Sequence, residues 1–306
     1  MTVVPILLLL AAAADTATLQ QRIELQAAAH RGHVALWAKN LATGQTLTIN
    51  PDTPVKTASV IKLAIMIEAC LQVKEGRRVL TDPVVLRDDE KVFGSGAFHF
   101  MHAGLQLTLE DTLWNMMIFS DNTATNLMID LLGTAAVNDR LKRVGLESTW
   151  LYKKIGRPAT EPMPPDQKQF GLGKTTARDM GRLLEWLARC GPGDEVLCRK
   201  MTWIMRNQQD RTMLARYLET SDPTETETPS YVAAKLGALD EVRNEVGIIY
   251  TKAGPILIAA FTWDNEDRSW TPENQGVRLI AAVSRDIVAT WSPAGMQTAG
   301  ETPIAR

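Results

Sequence analysis

The chain has 306 residues, 45% of them hydrophobic and 22% charged, with a formal net charge of −2. That make-up fits a soluble globular protein large enough for one or two domains with a substantial core. It carries neither a basic stripe nor an acidic tail, which argues against nucleic acid as a partner.

Residues Val3 to Ala14 form an apolar run closing on Ala12-Ala13-Ala14. The run is too short to span a bilayer and is patterned like a signal peptide with an Ala-x-Ala cleavage site, although no Lys or Arg precedes it. Residues 1–16 are therefore read as a signal peptide, with a start lacking fixed structure as the competing reading. The expected location is periplasmic or secreted. No cysteine directly follows the run, so no lipid anchor is expected, and no stable membrane span is either. Leu19 to Ala29 has helical composition, His33 to Lys39 is strand-like, Ala42 to Gln45 signals a turn, and Thr46 to Asn50 forms a second strand. A helix follows from Ser59 to about Glu75-Gly76. It is apolar on every face, as in a buried helix, and holds Cys70 as a buried free thiol.

From about residue 77 to 215, helical patches alternate with Gly and Pro punctuation. Leu109 to Phe119 has Thr108 as N-cap and Asp111 at the third position. Asn122 to Leu132 stops at Gly133, and Ala136 to Val144 stops at Gly145. Thr176 to Arg189 begins on a Thr176 cap, and Val196 to Asn207 closes the series. Cys190 and Cys198 flank the Gly191-Pro192-Gly193-Asp194 turn, where a disulfide suits an exported protein. The Pro- and Gly-rich stretch from Arg157 to Lys174 is long for a compact domain. Such a stretch is either functional or a plain exposed linker. Strand patterns return at Tyr231 to Gly237, Arg243 to Thr251 and Ile256 to Thr262, the last two joined by Lys252-Ala253-Gly254-Pro255. Gln275 to Trp291 is a closing helix, and a frayed tail is expected over 293–306.

Strands at both ends with helices between them predict an α+β fold. Segments 17–58 and 213–292 build one antiparallel sheet flanked by the terminal helices, and an all-helical region, 59–212, is inserted between them. The cleft between the two parts is the expected site.

Lys62 is the chemical oddity of the chain. It stands in a run that is otherwise apolar from Val60 to Ile67, where an ammonium is costly unless it is paired or loses its proton. A desolvated lysine can act as a base. Ser59, the only one of nine serines with a lysine three residues on, shares its helix face and sits at the helix start, where N–H groups favour developing negative charge. That places a nucleophile beside a base. The competing reading makes Ser59 an N-cap and lets Lys62 reach water. Two further triplets bear on the choice: Ser120-Asp121-Asn122 between two predicted helices, and Lys235-Leu236-Gly237 at the end of a predicted strand. Taken singly, they read as a capped turn and an ordinary strand end.

In this order and context the three motifs make the chain resemble the penicillin-recognising serine hydrolases, the class A β-lactamases most closely. Gly94-Ser95-Gly96, the run from Ser120 to Gly133 and the run from Thr175 to Met180 fit the same pattern, and the resemblance extends from about residue 17 to 292. It implies that Ser59 attacks the lactam carbonyl and that Lys62 is its base or part of a relay. Ser120 would link Lys62 to Lys235 and protonate the leaving nitrogen. Asn122 would hold the substrate's side-chain amide and the Lys62 head, Lys235 would place positive charge near the substrate carboxylate, and the N–H groups of Ser59 and Ala238, beside Gly237, would form the oxyanion hole. Arg243 falls where the family has a carboxylate-binding arginine, with a surface strand arginine as the alternative.

The match departs from the pattern in the Arg157 to Lys174 loop. Glu161-Pro162 stands where a deacylating Glu-Pro is expected, so Glu161 is the candidate base for water and Asp166 a second choice. Pro165 replaces the family's water-positioning asparagine, Lys174 replaces an aspartate that ties the loop down, and Leu236 replaces a hydroxyl residue. The expected protein is a β-lactam-opening serine hydrolase acting as a monomer, with a small β-lactam as partner and no cofactor. Its alternatives are a related acyl-serine peptidase or esterase, or a sensor that stays acylated. His99 and His102 have a metal-compatible spacing without a third ligand pattern, so no metal site is expected.

Overall fold

The computed structural model describes residues 18–159, 164–218 and 231–297. The proposed signal peptide, 1–16, and Glu161 lie outside these residues. Helix α1 (Leu19–Ala28) opens on a capping box in which Thr18 and Gln21 satisfy each other's backbone N–H groups. Strands β1 (His33–Asn40) and β2 (Thr46–Ile49) form a hairpin, and β3 (Val55–Lys56) leads into a 3₁₀ turn, Ala58–Ile61. Helix α2 (Lys62–Lys74) follows and is buried from Lys62 to Gln72, as its unbroken apolar run requires. Short strands β4 (Pro83–Val85) and β5 (Gln106–Thr108) pair ahead of helices α3 (Leu109–Ile118), α4 (Asn122–Leu132) and α5 (Thr134–Arg143). Then come β6 (Trp150–Leu151), the single turn α6 (Gln167–Phe170), β7 (Gly173–Thr175), and helices α7 (Ala177–Ala188) and α8 (Glu195–Arg206). Strands β8 (Val232–Leu239), β9 (Val242–Thr251) and β10 (Gly254–Trp263) and helix α9 (Gln275–Trp291) complete the fold.

The five long strands form one antiparallel sheet in the order β2-β1-β10-β9-β8. Strands from both chain ends therefore build the one sheet side by side, and the last of the three C-terminal strands pairs with the first N-terminal one. Each sheet face covers its own core. One, with Ala233, Val246 and Ile248, packs on α2 and the helices around it. The other, with Val232, Ile249 and Ile258, packs beneath α1 and α9. Among the described residues no helix is long and apolar enough to cross a membrane.

Several local expectations are corrected. The α-helix begins at Lys62, because Ser59 belongs to the 3₁₀ turn before it. The helix expected from Ala136 starts at Thr134. A second sheet, β3-β7-β6, ties the segment before Ser59 to the end of the long loop; its strands of two or three residues are too short to show a period of two. The described part of the C-terminal tail is packed down: Met296 is buried and bridges to Thr251. Cys190 and Cys198 are joined, with Cα atoms 5.6 Å apart, and Cys70 is a buried free thiol whose pKa burial pushes up to about 12.

Helix α7 lies against β1 and β10 through Gly181, where a Cβ would sit 2.1 Å from the Trp37 ring. Gly181→Ala is expected to destabilise the protein by about 1–3 kcal/mol through overpacking. Urea unfolding checks this, and an unchanged midpoint would mean that helix and ring separate freely.

Candidate active site

The site forms where the edge strand β8 meets the turn before α2. Gly237 makes the approach possible. A Cβ there would lie 2.8 Å from Ser59 N, 2.9 Å from Thr57 O and 3.0 Å from Val60 N, all backbone atoms. Thr57 N–H also donates to Gly173 O at 2.9 Å, so the turn that carries Ser59 is held from both sides. Ala58 is left at φ +45°, a region in which a residue with a Cβ persists only when its surroundings impose it. Ser59 is half-buried. Neither the 3₁₀ turn nor α2 receives a side-chain cap, so the N-cap alternative for Ser59 does not hold.

Lys62 does not reach water; it is fully buried. Its Nζ donates to Ser120 O at 2.6 Å, Ser120 Oγ at 3.1 Å and Asn122 Oδ1 at 3.0 Å. Lys235, equally buried, donates to the same Ser120 Oγ at 3.1 Å and to Leu236 O at 2.9 Å. Two ammonium groups thus converge on one hydroxyl, out of water. Burial, then the neighbouring charge of Lys235, drives the Lys62 pKa well below the usual lysine range against the opposing pull of Asp121. Burial lowers Lys235 to about 7, opposed by Glu245 and Asp210. A Lys62 without its proton can accept one from a hydroxyl, and a protonated Lys235 donates to Ser120.

Asp121 sets the position of Ser120, a role that its place in a motif does not reveal. Its buried carboxylate accepts from Ala97 N at 2.7 Å and Phe98 N at 2.9 Å with one oxygen, and caps α4 through Ala124 N at 2.8 Å with the other. Asn122 N–H donates to Ser95 O at 3.0 Å. A Cβ on Gly96, at φ +93°, would fall 2.2 Å from the Asp121 carboxylate. The clamped turn holds Ser120 at φ +55°.

Two cavities meet at Ser59 and Ala238. One, of about 230 Å³, reaches Ser120, Leu236 and Arg243. The other, of about 400 Å³, reaches Asn122 and the segments 153–156 and 168–172. Ser59, Lys62, Ser120, Asn122, Lys235, Gly237 and Ala238 are therefore brought together as the motifs imply. Arg243 lies in the wall of the smaller cavity. Its guanidinium donates to the backbone carbonyls of Leu239, Val242 and Ser269 and stacks 4.8 Å from the Trp270 ring, so its donors are shared with the protein itself. It is buried, which removes the alternative of a surface strand arginine.

Asp166, the second choice of base, is not free. Tyr152 OH donates to one of its oxygens at 2.7 Å and Lys174 pairs with the other; the Lys174 bond, then Tyr152, holds its pKa below the usual carboxylate range. Lys174 ties the loop down after all, with Asp166 as the opposite charge. Burial raises Glu245 to about 8; its carboxylate accepts from Leu214 N at 2.5 Å.

Residues 17–291 match the family model described as Beta-lactamase enzyme family. The chain is similar to the solved β-lactamase of Sphaerobacter thermophilus DSM 20745, with 31% identity over 88% of this chain and 96% of that one and a TM-score of 0.76. It shares its fold with PBP-A, at 24% identity over 89% of this chain and 95% of that one with a TM-score of 0.75. It shares the same fold with a β-lactamase from Chitinophaga pinensis DSM 2588, at 22% identity over 90% and 99% with a TM-score of 0.76. A comparison with curated proteins gave no match.

Because the three atoms nearest a Cβ on Gly237 are all backbone atoms, a methyl group there must displace the Ser59 turn. Gly237→Ala is expected to slow acylation of Ser59 by a penicillin about 10²-fold, the usual consequence of a misplacement near 1 Å, while far-UV circular dichroism stays native. An unchanged acylation rate would show that the contact does not position Ser59.

Proposed function

The chain belongs to the beta-lactamase enzyme family, and we propose that it is a serine hydrolase of the class A kind, opening β-lactam rings through an acyl-enzyme on Ser59. The observation that supports this most is the pair of buried lysines sharing Ser120 Oγ beside Ser59. Neutral Lys62 takes the Ser59 Oγ proton as the Oγ–carbonyl carbon bond forms. Negative charge develops on the carbonyl oxygen, which the Ser59 and Ala238 N–H groups receive. The carbon–nitrogen bond then breaks. Ser120 gives its proton to the leaving nitrogen and recovers one from Lys62, which returns to neutral. The ring is opened, Ser59 is esterified and no proton is gained or lost overall. Lys235 keeps positive charge near a substrate carboxylate on the Ser120 side. Every group in this scheme comes from one chain, and no cofactor enters it.

Release of the acyl group needs an activated water. Glu161 is the proposed base, since Asp166 is occupied by Tyr152 and Lys174 and the exposed Pro165 offers no side-chain donor. That loop chemistry favours a second reading, a protein that acylates readily and deacylates slowly. A mutant of PBP-A was solved as its acyl-enzyme complex with penicillin G, so a penicillin adduct on this fold can be long-lived enough to observe. The Cys190–Cys198 disulfide supports an exported location for the mature chain.

Mixing the protein with benzylpenicillin and following intact mass tests the proposal. The expected adduct carries the full mass of the drug, because the leaving nitrogen stays attached through the opened ring. It is absent in Ser59→Ala. Activity surviving Ser59→Ala would overturn the serine mechanism. Glu161→Gln is expected to hold the adduct, lowering turnover by about 10²–10⁴; unchanged turnover would remove Glu161 from the mechanism.

A further inference from the structure

The larger cavity has a charge that the acyl-serine scheme does not use. Four lysines line it, Lys56, Lys153, Lys154 and Lys168, and no carboxylate does among the described residues. Two of them are neutralised: Lys56 pairs with Glu241 at 2.7 Å, and Lys154 with Glu90 at 2.7 Å and Asp130 at 2.9 Å. The half-buried Lys153 and exposed Lys168 have no ion pair or hydrogen bond to the described residues. The wall that presents Lys153 is held in place. The buried Asn126 donates to Ile155 O at 3.0 Å and accepts from Ile155 N at 2.8 Å, which fixes the segment against α4. Lys168 stands on α6, whose first turn is tethered through Asp166 to Tyr152 and Lys174.

Chemistry decides which part of a substrate meets these charges. The nitrogen leaving the carbonyl must lie near Ser120 Oγ, and of the two cavities Ser120 lines the smaller. Ser59 and Ala238 line both. A carbonyl attacked by Ser59 therefore directs its leaving group to the smaller cavity and its acyl side chain to the larger one, past Asn122. We propose that this cleft selects substrates whose acyl side chain carries a carboxylate, received by Lys153 and Lys168. This specificity rests on the acyl-serine reading above and adds to it a preference for one class of side chain. Two charges without a partner among the described residues both raise local anion concentration and oppose a cationic side chain.

Three penicillins with the same ring system and a phenyl-bearing side chain test it: carbenicillin with a side-chain carboxylate, benzylpenicillin with none, and ampicillin with an ammonium. Second-order acylation rates of the full chain, read by intact mass at low ionic strength, are expected to fall in that order, with carbenicillin about tenfold ahead of benzylpenicillin. The spread is expected to shrink to about twofold in 0.5 M salt and in the Lys153→Gln, Lys168→Gln double variant. Lys252→Gln, in the exposed β9–β10 turn, is expected to keep the full spread. Equal rates for the three drugs, or a spread that survives in the double variant, overturn the carboxylate preference and leave the acyl-serine reading standing. Finding neither an adduct nor consumption of any of the three drugs overturns both.

Discussion

Two buried lysines on one hydroxyl is the constraint on which the rest of this structure depends. Lys62 and Lys235 each place Nζ 3.1 Å from Ser120 Oγ, and neither side chain touches solvent. Like charges so placed cannot both be held cheaply. Burial and the charge of Lys235 both press on the Lys62 proton, and loss of that proton is what the proposed base role of Lys62 toward Ser59 requires. The surrounding fold enforces the arrangement. Helix α2 carries Lys62 into the core, the β8–β9 register sets Lys235 opposite Val246, and the Asp121 clamp holds Ser120 between the two. The positive φ at Ala58 and Ser120 shows that the backbone is strained on both sides of the Ser59 cleft, and such strain clusters at functional sites.

A second set of contacts shapes the larger cavity. Lys56 in β3 and Lys174 in β7 stand opposite each other across a two-residue pairing, yet their charges go different ways, Lys56 to Glu241 and Lys174 to Asp166. The loop is thus anchored at its end by an ion pair and a tyrosine hydroxyl, while Asn126 anchors the wall that precedes it. The proposed binding of the acyl side chain and the proposed release of the acyl group both draw on this loop.

Much of this was legible in the chain, for reasons that differ from one part to another. Helix starts at Thr108 and Thr176 follow from local capping chemistry, and the long strands show their own apolar runs. The spacing of Ser59 and Lys62 put the two together, but the 3₁₀ geometry of Ser59 is imposed by Gly237, far along the chain, and no local pattern encodes it. Asp121 reads as an ordinary turn residue until Ala97 and Phe98 are brought to it. Lys174 looked like the loss of an anchor. Its partner Asp166, eight residues before it, restores the anchor with the charges exchanged, and that signal was available as a pair of opposite charges within one loop. The four cleft lysines are dispersed from residue 56 to 168, so only folding gathers them into one field.

The protonation state of Lys62 tests the account most directly. In protein selectively labelled at lysine Cε and Nζ, the Lys62 resonances, assigned by their loss in Lys62→Met, can be followed against pH by heteronuclear NMR. The account predicts a pKa well below the ordinary lysine value of about 10.4 and a rise toward that value when Lys235→Met removes the neighbouring charge. A Lys62 that titrates at about 10.4, indifferent to Lys235, would contradict it.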